Sequence, residues 1–331
     1  MSPSSKKALG VFGLLVVTCI ATMIFSDVFL SSFNIENLLR RTALFGIISI
    51  GAAFVIIVGG IDLSIGSVIA LVGCLLPWLL TQHGWSPWAA VPVVLALGLL
   101  IGLIHGLLIT GLGIQPFIVT LCGLLIYRGL ARGITGDQTV GFQGDYPGLR
   151  FLGDGGFQIT EGFSLPAPVL VLCAVAVLSI VFLRMTVWGR WMFAIGRSES
   201  AARHSGISTA TMTILAYTIC AGLSGLGGVL FVLYVGSAQP VDFGSFYELY
   251  AIAAAVLGGC SLRGGEGSII GVIVGAALMQ VLRNAITLID WINDNVEFAV
   301  IGVVILAGVM TDELLRRVIA RRLVRQERRR A

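Results

Sequence analysis

The fold is organised around the stretch Val187-Trp-Gly-Arg-Trp-Met-Phe-Ala-Ile-Gly-Arg-Ser-Glu-Ser-Ala-Ala-Arg-His-Ser-Gly-Ile-Ser208, the longest interval without the apolar runs that fill most of the chain. Within it, Ser198 can cap a helix, Glu199 follows in the first turn, Arg203 lies four residues later, and Gly206 can end the helix in a left-handed conformation. These positions predict a helix of about two turns, too short to be stable alone in water. We therefore expect it to dock against a partner or the membrane face. An ordinary solvated loop is the alternative.

The rest of the composition is that of an integral membrane protein. Of 331 residues, 57% are hydrophobic and 11% are charged, against roughly one quarter charged in soluble domains, and the mean hydropathy is +0.98. The 43 glycines indicate transmembrane helices whose backbones approach closely. A formal net charge of +4 is too small to indicate nucleic acid as a partner.

Spans of about twenty apolar residues cross a bilayer. The sequence predicts ten, which would place both termini on one side of the membrane. They are residues 8–26, 42–60, 64–81, 88–111, 115–135, 166–184, 210–234, 247–259, 268–289 and 296–313. The 247–259 run is short and could be a half-helix, and the N-terminal run is interpreted as a retained span, not a cleaved signal peptide.

The distribution of positive charge orients these spans. Fifteen of the 21 lysines and arginines fall on the side of the termini, which the positive-inside rule makes cytoplasmic. We predict one permease domain over 1–331, with a cytoplasmic loop at about 185–209 and a basic cytoplasmic tail at about 314–331 that can contact anionic membrane lipid. Arg40 and Arg41 fit poorly, since they fall at the outer end of the second span. Residues 136–165, outside the membrane, are rich in turn signals and predict either a cap or a plain loop.

Several kinds of chemistry are excluded or unsupported. The only lysines are Lys6 and Lys7, so the phosphate-binding pattern GxxxxGK[ST] does not occur. The six cysteines are scattered without metal-ligand spacing, so neither a zinc site nor a disulfide framework is indicated. We expect no cofactor, no metal and no catalysis on this chain. His83, His105 and His204 are interpreted as satisfied or interfacial histidines.

Asp62 is the single acid embedded between two long apolar runs. A charge at such depth is costly and is a functional hypothesis by default. Alternatively, Asp62 caps the helix that begins at Leu63 or Ser64, near the cytoplasmic surface. The glycine-rich stretches that begin at Gly59 and Gly258 each interrupt an apolar run and restart it at Gly-Ser, which indicates either an internal repeat of broken helices or a coincidence of composition.

Four spaced motifs carry a resemblance that covers nearly the whole chain. They are Gly59-Gly-Ile-Asp-Leu-Ser-Ile-Gly-Ser67; Gln115-Pro-Phe-Ile-Val-Thr-Leu121 with Ile126-Tyr-Arg-Gly-Leu130; Ala194-Ile-Gly, Ser200-Ala-Ala-Arg and Ser205-Gly-Ile207; and Leu257-Gly-Gly, Ser261-Leu, Gly264-Gly and Gly267-Ser-Ile-Ile-Gly271. Together they resemble the permease subunits of ribose-type sugar ABC importers.

The resemblance implies an all-α, ten-helix permease of the type II importer kind, paired with a second permease. It further implies an ATP-binding subunit on the cytoplasmic side and a solute-binding protein outside a bacterial inner membrane. The segment 197–207 would then be the coupling helix. The residues expected to couple to the ATPase are Arg197, Ser198, Glu199, Ala201, Ala202, Arg203, Gly206 and Ile207.

Polar side chains beside the predicted helix breaks are candidates for the solute path. Gln115 and Thr120 can hydrogen-bond hydroxyl groups, Phe117 can pack on a sugar ring, and Pro116 leaves backbone groups free at the helix start. The candidates are Asp62, Ser64, Gln115, Phe117 and Thr120. The expected function is inward passage of a monosaccharide by alternating access driven by a separate ATPase. A polyol, nucleoside or signalling furanose importer, and a stand-alone secondary carrier, are the alternatives.

Overall fold

The computed structural model describes residues 3–289 and, after them, residues 296, 299–300, 302–303, 306 and 310. Most of the predicted last span, 296–313, falls outside these residues, and the basic tail, 314–331, falls wholly outside them. The described part is a bundle of helices. They are α1 (Pro3–Phe25), α2 (Ser32–Ile57), α3 (Ile65–Pro77), α4 (Pro87–Gly111), α5 (Pro116–Thr135), α6 (Pro147–Arg150), α7 (Ala167–Met185), α8 (Val187–Arg197), α9 (Glu199–His204), α10 (Thr209–Val235), α11 (Tyr247–Leu257) and α12 (Ile269–Leu288).

Seven helices in the described part are long and apolar enough to cross a membrane: α2, α3 with its continuation, α4, α5, α7, α10 and α12. Two shorter apolar helices, Gly10–Phe25 and α11, fall where spans were predicted. A mostly helical, polytopic membrane protein is therefore confirmed, and the count of ten stays a prediction.

One predicted boundary was wrong for an identifiable reason. The second span begins at Ser32 and not at 42, because Arg40 hydrogen-bonds within the protein and does not end the apolar helix. Its Nη2 donates to the carbonyl of Asp154 at 2.8 Å and its Nη1 donates to Asn37 at 3.1 Å. The span predicted at 64–81 is confirmed as Ile65–Gln82, in which α3 is followed after Pro77 by a π-helical turn, Trp78–Gln82.

Helix α2 forms the centre of the bundle, buried along its length from Ala43 to Ile57. Helices α10, α11 and α12 pack against it, whereas α4, α5 and α7 keep apolar faces exposed. Gly98, Gly102 and Gly106 of α4 recur every fourth residue and lie against the backbone of α10. Small residues at this spacing allow two membrane helices to approach closely, as the composition indicated.

Helices α2 and α11 end in the same way. Gly59 donates to the carbonyl of Ile56 at 3.0 Å and Gly259 donates to that of Val256 at 2.9 Å. The next N–H groups, of Gly60 and Cys260, donate to carbonyls five residues earlier, both at 2.9 Å. Both glycines are left-handed, with φ of 88° and 97°, which glycine adopts without a steric penalty. This equivalence supports an internal repeat at these two helix ends.

The segment 136–165 is an ordered cap at the end of the bundle opposite α8 and α9. Strand β1 (Val140–Gly141) pairs with β4 (Ser237–Ala238), and β2 (Gly156–Thr160) forms a hairpin with β3 (Phe163–Pro166). The backbone N–H of Ser164 donates to Glu36 of α2 at 2.6 Å. These short strands are the departure from an all-α fold.

Hydrogen bonds from Arg132 hold the pKa of Asp137, at the start of the cap, below its usual value.

We predict that Gly102→Ala destabilises the bundle by about 1–3 kcal/mol, because the added methyl group would overlap the carbonyl oxygen of Tyr217. The matched control is Gly129→Ala on α5, where the methyl group meets open space. Thermal unfolding in detergent, followed by tryptophan fluorescence, measures the difference. Equal melting temperatures for the two variants would contradict the close α4–α10 packing.

Candidate functional site

The short helix predicted around Glu199 is present as α9. The Ser198 hydroxyl accepts from the backbone N–H of Ala201 at 3.3 Å, which caps the helix. Arg203 donates to the Glu199 carboxylate at 2.8 Å, one turn along. This exposed pair contributes only a few tenths of a kcal/mol. Local sequence signals therefore set the start of the helix.

Gly206 ends the helix as predicted. Its φ is +80°, its N–H donates to Arg203 at 3.0 Å, and the N–H of Ile207 donates back to Ala202 at 3.1 Å. A side chain on Gly206 would meet open space, so the requirement for glycine comes from the backbone angle and not from crowding.

Helix α9 docks through one face. Ala202 is buried in the core, and Ile207 is half-buried against it. The other predicted coupling residues are exposed, so the helix presents a polar surface away from the bundle. These exposed residues are Arg197, Ser198, Glu199, Ala201, Arg203 and Gly206.

The preceding helix, α8, connects this segment to two helix breaks, the one after α2 and the one after α11. Met192 and Ile195 bury its apolar face. At its end, a side chain on Gly196 would overlap the carbonyl oxygen of Ile57 and the N–H of Gly265. These two groups are themselves hydrogen-bonded at 2.9 Å, which joins the end of α2 to the loop between α11 and α12. Three chain segments therefore meet backbone to backbone at Gly196.

Asp62 lies in the break between α2 and α3, and its side chain is only 2% exposed. Its Oδ1 accepts from the Ser64 N–H at 2.8 Å and from the Ser64 hydroxyl at 2.6 Å. These bonds support the interpretation that Asp62 holds the start of α3, which begins at Ile65.

Polar residues that the sequence did not assign to the break lie around it; the sequence predicts His105 only as a satisfied or interfacial histidine. Tyr217 donates to the carbonyl of Ile61 at 3.3 Å, and a side chain on Gly60 would overlap the Tyr217 hydroxyl. His105, 1% exposed, is hydrogen-bonded to the Tyr127 hydroxyl at 2.8 Å through Nε2. Each of these residues is isolated in an apolar run, so no local pattern identified them.

The predicted path residues at the start of α5 do not share a surface. Gln115 and Phe117 are exposed, whereas Thr120 is fully buried. The Thr120 hydroxyl donates to the carbonyl of Pro116 at 3.0 Å, one turn back in its own helix.

Two charged residues, one buried and one half-buried, were missed. Asp62 is not the single buried acid, since Glu248 at the start of α11 is 8% exposed. Arg128, in α5, donates through Nη1 to the carbonyls of Phe243 at 2.7 Å and Pro240 at 3.1 Å. The sequence did contain a signal for Arg128, which is its position inside an apolar span. Charges at that depth face the protein or a water-filled cavity.

The family described as "Branched-chain amino acid transport system / permease component" matches residues 34–309. The chain belongs to this permease family. The chain is also similar to the ribose import permease protein RbsC of Bacillus subtilis, with 37% identity over 306 residues and 92% of each chain covered. RbsC of Escherichia coli K12 is 35% identical over 301 residues, covering 90% of this chain and 91% of the relative. The xylose transport system permease protein XylH of Haemophilus influenzae is 30% identical over 338 residues, covering 86% and 90%.

These similarities confirm the resemblance to ribose-type importer permeases. The permease is a multi-pass membrane protein, and its relatives are transport subunits, not ATPases. A permease of an ABC importer works with an ATPase and with a solute-binding protein.

We predict that Asp62→Ala lowers the unfolding free energy by about 1–3 kcal/mol, because both donors of Ser64 lose a buried acceptor. Asp62→Asn keeps an oxygen at the same place and should cost less than about 1 kcal/mol. Melting temperatures in detergent test the cap. An Asn variant as unstable as the Ala variant would contradict it, and a stable Asn variant without transport would favour a role in the solute path.

Proposed function

We propose that this chain passes a monosaccharide inward by alternating access, driven by a separate ATPase that contacts α8 and α9. The observation that carries the proposal is the position of α9. It docks through Ala202 and Ile207, exposes a polar face, and connects through Gly196 to both helix breaks. Movement of this segment therefore displaces the ends of α2 and α11.

The exposed residues of the segment form the ATPase contact. Arg197, Ser198, Glu199, Ala201 and Arg203 present the polar face, while Gly206 ends the helix. Ala202 and Ile207 contribute by holding α9 to the core. The motor is a separate subunit because the sequence has no phosphate-binding loop.

The assembly we propose is that of a type II ABC importer. Residues 1–331 form one ten-helix permease domain that pairs with a second permease, in a bacterial inner membrane with both termini cytoplasmic. The binding protein docks on the opposite side, where the segment 136–165 forms the cap. The basic tail, 314–331, contacts anionic lipid.

We propose a monosaccharide as the solute, because the names of the relatives specify ribose import and xylose transport. Asp62, Ser64, Gln115, Phe117 and Thr120 remain our proposal for residues near its path. In this arrangement Asp62 and Ser64 shape the helix break, and exposed Gln115 and Phe117 lie at the start of α5. Polyols, nucleosides and furanoses are competitor solutes for the uptake assay.

We predict that Gly206→Val and Glu199→Lys uncouple the permease without removing it from the membrane. Valine at a left-handed φ costs about 1–2 kcal/mol, and lysine places like charge beside Arg203 at about 0.5 kcal/mol. In proteoliposomes with the cognate ATPase and loaded binding protein, stimulated ATP hydrolysis should fall by about fivefold or more. Gly206→Asn and Glu199→Gln are the matched controls, because asparagine tolerates the left-handed region and glutamine adds no positive charge.

Wild-type uptake in the same vesicles tests the function itself. Accumulation of D-ribose or D-xylose should require both ATP and the binding protein. Gradient-driven accumulation by the permease alone would instead establish a secondary carrier. Normal stimulation of ATP hydrolysis in both variants would remove α9 from the coupling role.

We predict that α9 faces the cytoplasm. A cysteine at the exposed position Ser200 should resist a membrane-impermeant maleimide in spheroplasts and react after lysis. Glu161→Cys, at the exposed β2–β3 turn, is the control that should react in both. The exposed Cys122 and Cys173 are first replaced by serine. Reaction of Ser200→Cys in intact spheroplasts would contradict the orientation.

A further inference from the structure

The loop at 236–246, between α10 and α11, packs into the bundle beside α3 and α5. A side chain on Gly66 would overlap the carbonyl of Gly244 and the carboxylate of Glu248, and one on Gly73 would meet the ring of Phe243 at 2.5 Å. Arg128 binds the same loop through the carbonyls of Pro240 and Phe243. The loop is thus held by two glycines of one helix and an arginine of another.

A cavity of about 210 Å³ remains between these elements. At about 30 Å³ per water molecule, this is the volume of about seven waters, the size class of one small polar solute. Its lining contains one cation, one anion, two hydroxyl groups, one aromatic ring and one aliphatic side chain: Arg128, Glu248, Ser67, Ser245, Phe246 and Leu124.

The charges place this cavity on a water-accessible route. Arg128 is the thirteenth residue of the twenty in α5, about 18 Å along the helix, and it is half-buried. A guanidinium in the middle of a span does not face lipid at acceptable cost. Glu248, facing the same cavity, accepts from the N–H of Gly66 and from its own N–H. Both side chains are therefore fixed by backbone groups, not free to leave the cavity.

The lining suits a polyhydroxylated ring. Sugar hydroxyls both donate and accept, and here they would meet guanidinium donors, a carboxylate acceptor and two serines that do either. Phe246 has φ of +64°, a strained backbone for an aromatic residue, and its exposed ring borders the cavity. Strained residues of this kind persist where the surrounding structure requires the position.

We propose that this cavity is an intramembrane subsite that holds one sugar ring in transit. It is a specificity site within the permease, separate from the binding protein. The inference rests on the proposed transport function and adds to it the residues that contact the solute.

The first test fills the cavity. Leu124→Trp should lower D-ribose uptake by about tenfold or more in vesicles with ATPase and binding protein, with membrane abundance unchanged. The matched control is Leu125→Trp, because Leu125 is 66% exposed and points away from the cavity lining. Equal loss of uptake in the two variants would make the effect a property of the outer surface of α5 and would overturn the proposal.

The second test uses the charge. Arg128→Gln should change the ratio of D-ribose to D-xylose uptake by about threefold or more, because the cationic lining of the cavity is lost. Arg132→Gln, one turn further along α5, should leave the ratio unchanged, since Arg132 is exposed and paired with Asp137 at 2.7 Å. An unchanged ratio in the Arg128 variant would contradict contact with the solute.

The third test works on the permease alone and distinguishes the two proposals. In a background with Cys122 and Cys173 replaced by serine, Ser245→Cys should react with a cationic methanethiosulfonate. Saturating D-ribose should slow the reaction by about threefold or more, and equimolar sucrose should not. No reaction, or equal protection by both sugars, overturns the subsite. Protection by ribose, with wild-type vesicles that fail to use ATP, would preserve the subsite and reject the ATPase-driven mechanism.

Discussion

The contact at Gly196 is the constraint on which the architecture depends. The backbone of α8 touches the carbonyl of Ile57 and the N–H of Gly265, and only hydrogen fits where a side chain would stand. Ile57 and Gly265 are hydrogen-bonded to each other, so α2, α8 and the loop after α11 form one junction. We propose that the segment 187–208 and the two helix breaks move together, because close-packed protein contacts transmit strain.

The polar residues of the helices fall into two groups according to where their hydrogen-bond partners lie. Ser49, Thr218 and Ser224 donate to carbonyls one turn back in their own helices, at 2.7, 2.8 and 2.8 Å. Such bonds satisfy a hydroxyl without joining one element to another. Arg128 and Glu248 instead bond to backbone groups of other elements. A charge carried at that depth for a local purpose would be costly, which is why these two residues indicate a site.

The sequence predicted features that depend on neighbours in the chain and missed those that depend on distant ones. Ser198, Glu199 and Gly206 act within one helix, so the predicted start and end of α9 are confirmed. The start of α2 was wrong because Arg40 finds its partner 114 residues away, at Asp154.

The candidate site was less predictable for the same reason. Thr120 and Gln115 were grouped by sequence, but the packing of α5 turns one inward and leaves the other exposed. Glu248 is the second residue of the short predicted span 247–259, and no local pattern marks it as buried. The burial of Glu248 depends on the close contact between Gly66 and Gly244, which are far apart in the sequence. Rotation of a helix about its axis is set by its neighbours, which a single sequence does not specify.

The short ladder between β1 and β4 has a mechanical consequence. Val140 pairs with Ala238, two residues before Pro240, whose carbonyl accepts from Arg128. The ladder therefore joins the cap directly to the loop that lines the cavity. A displacement of β1 would act on β4 and, two residues later, on a carbonyl group that Arg128 of α5 holds.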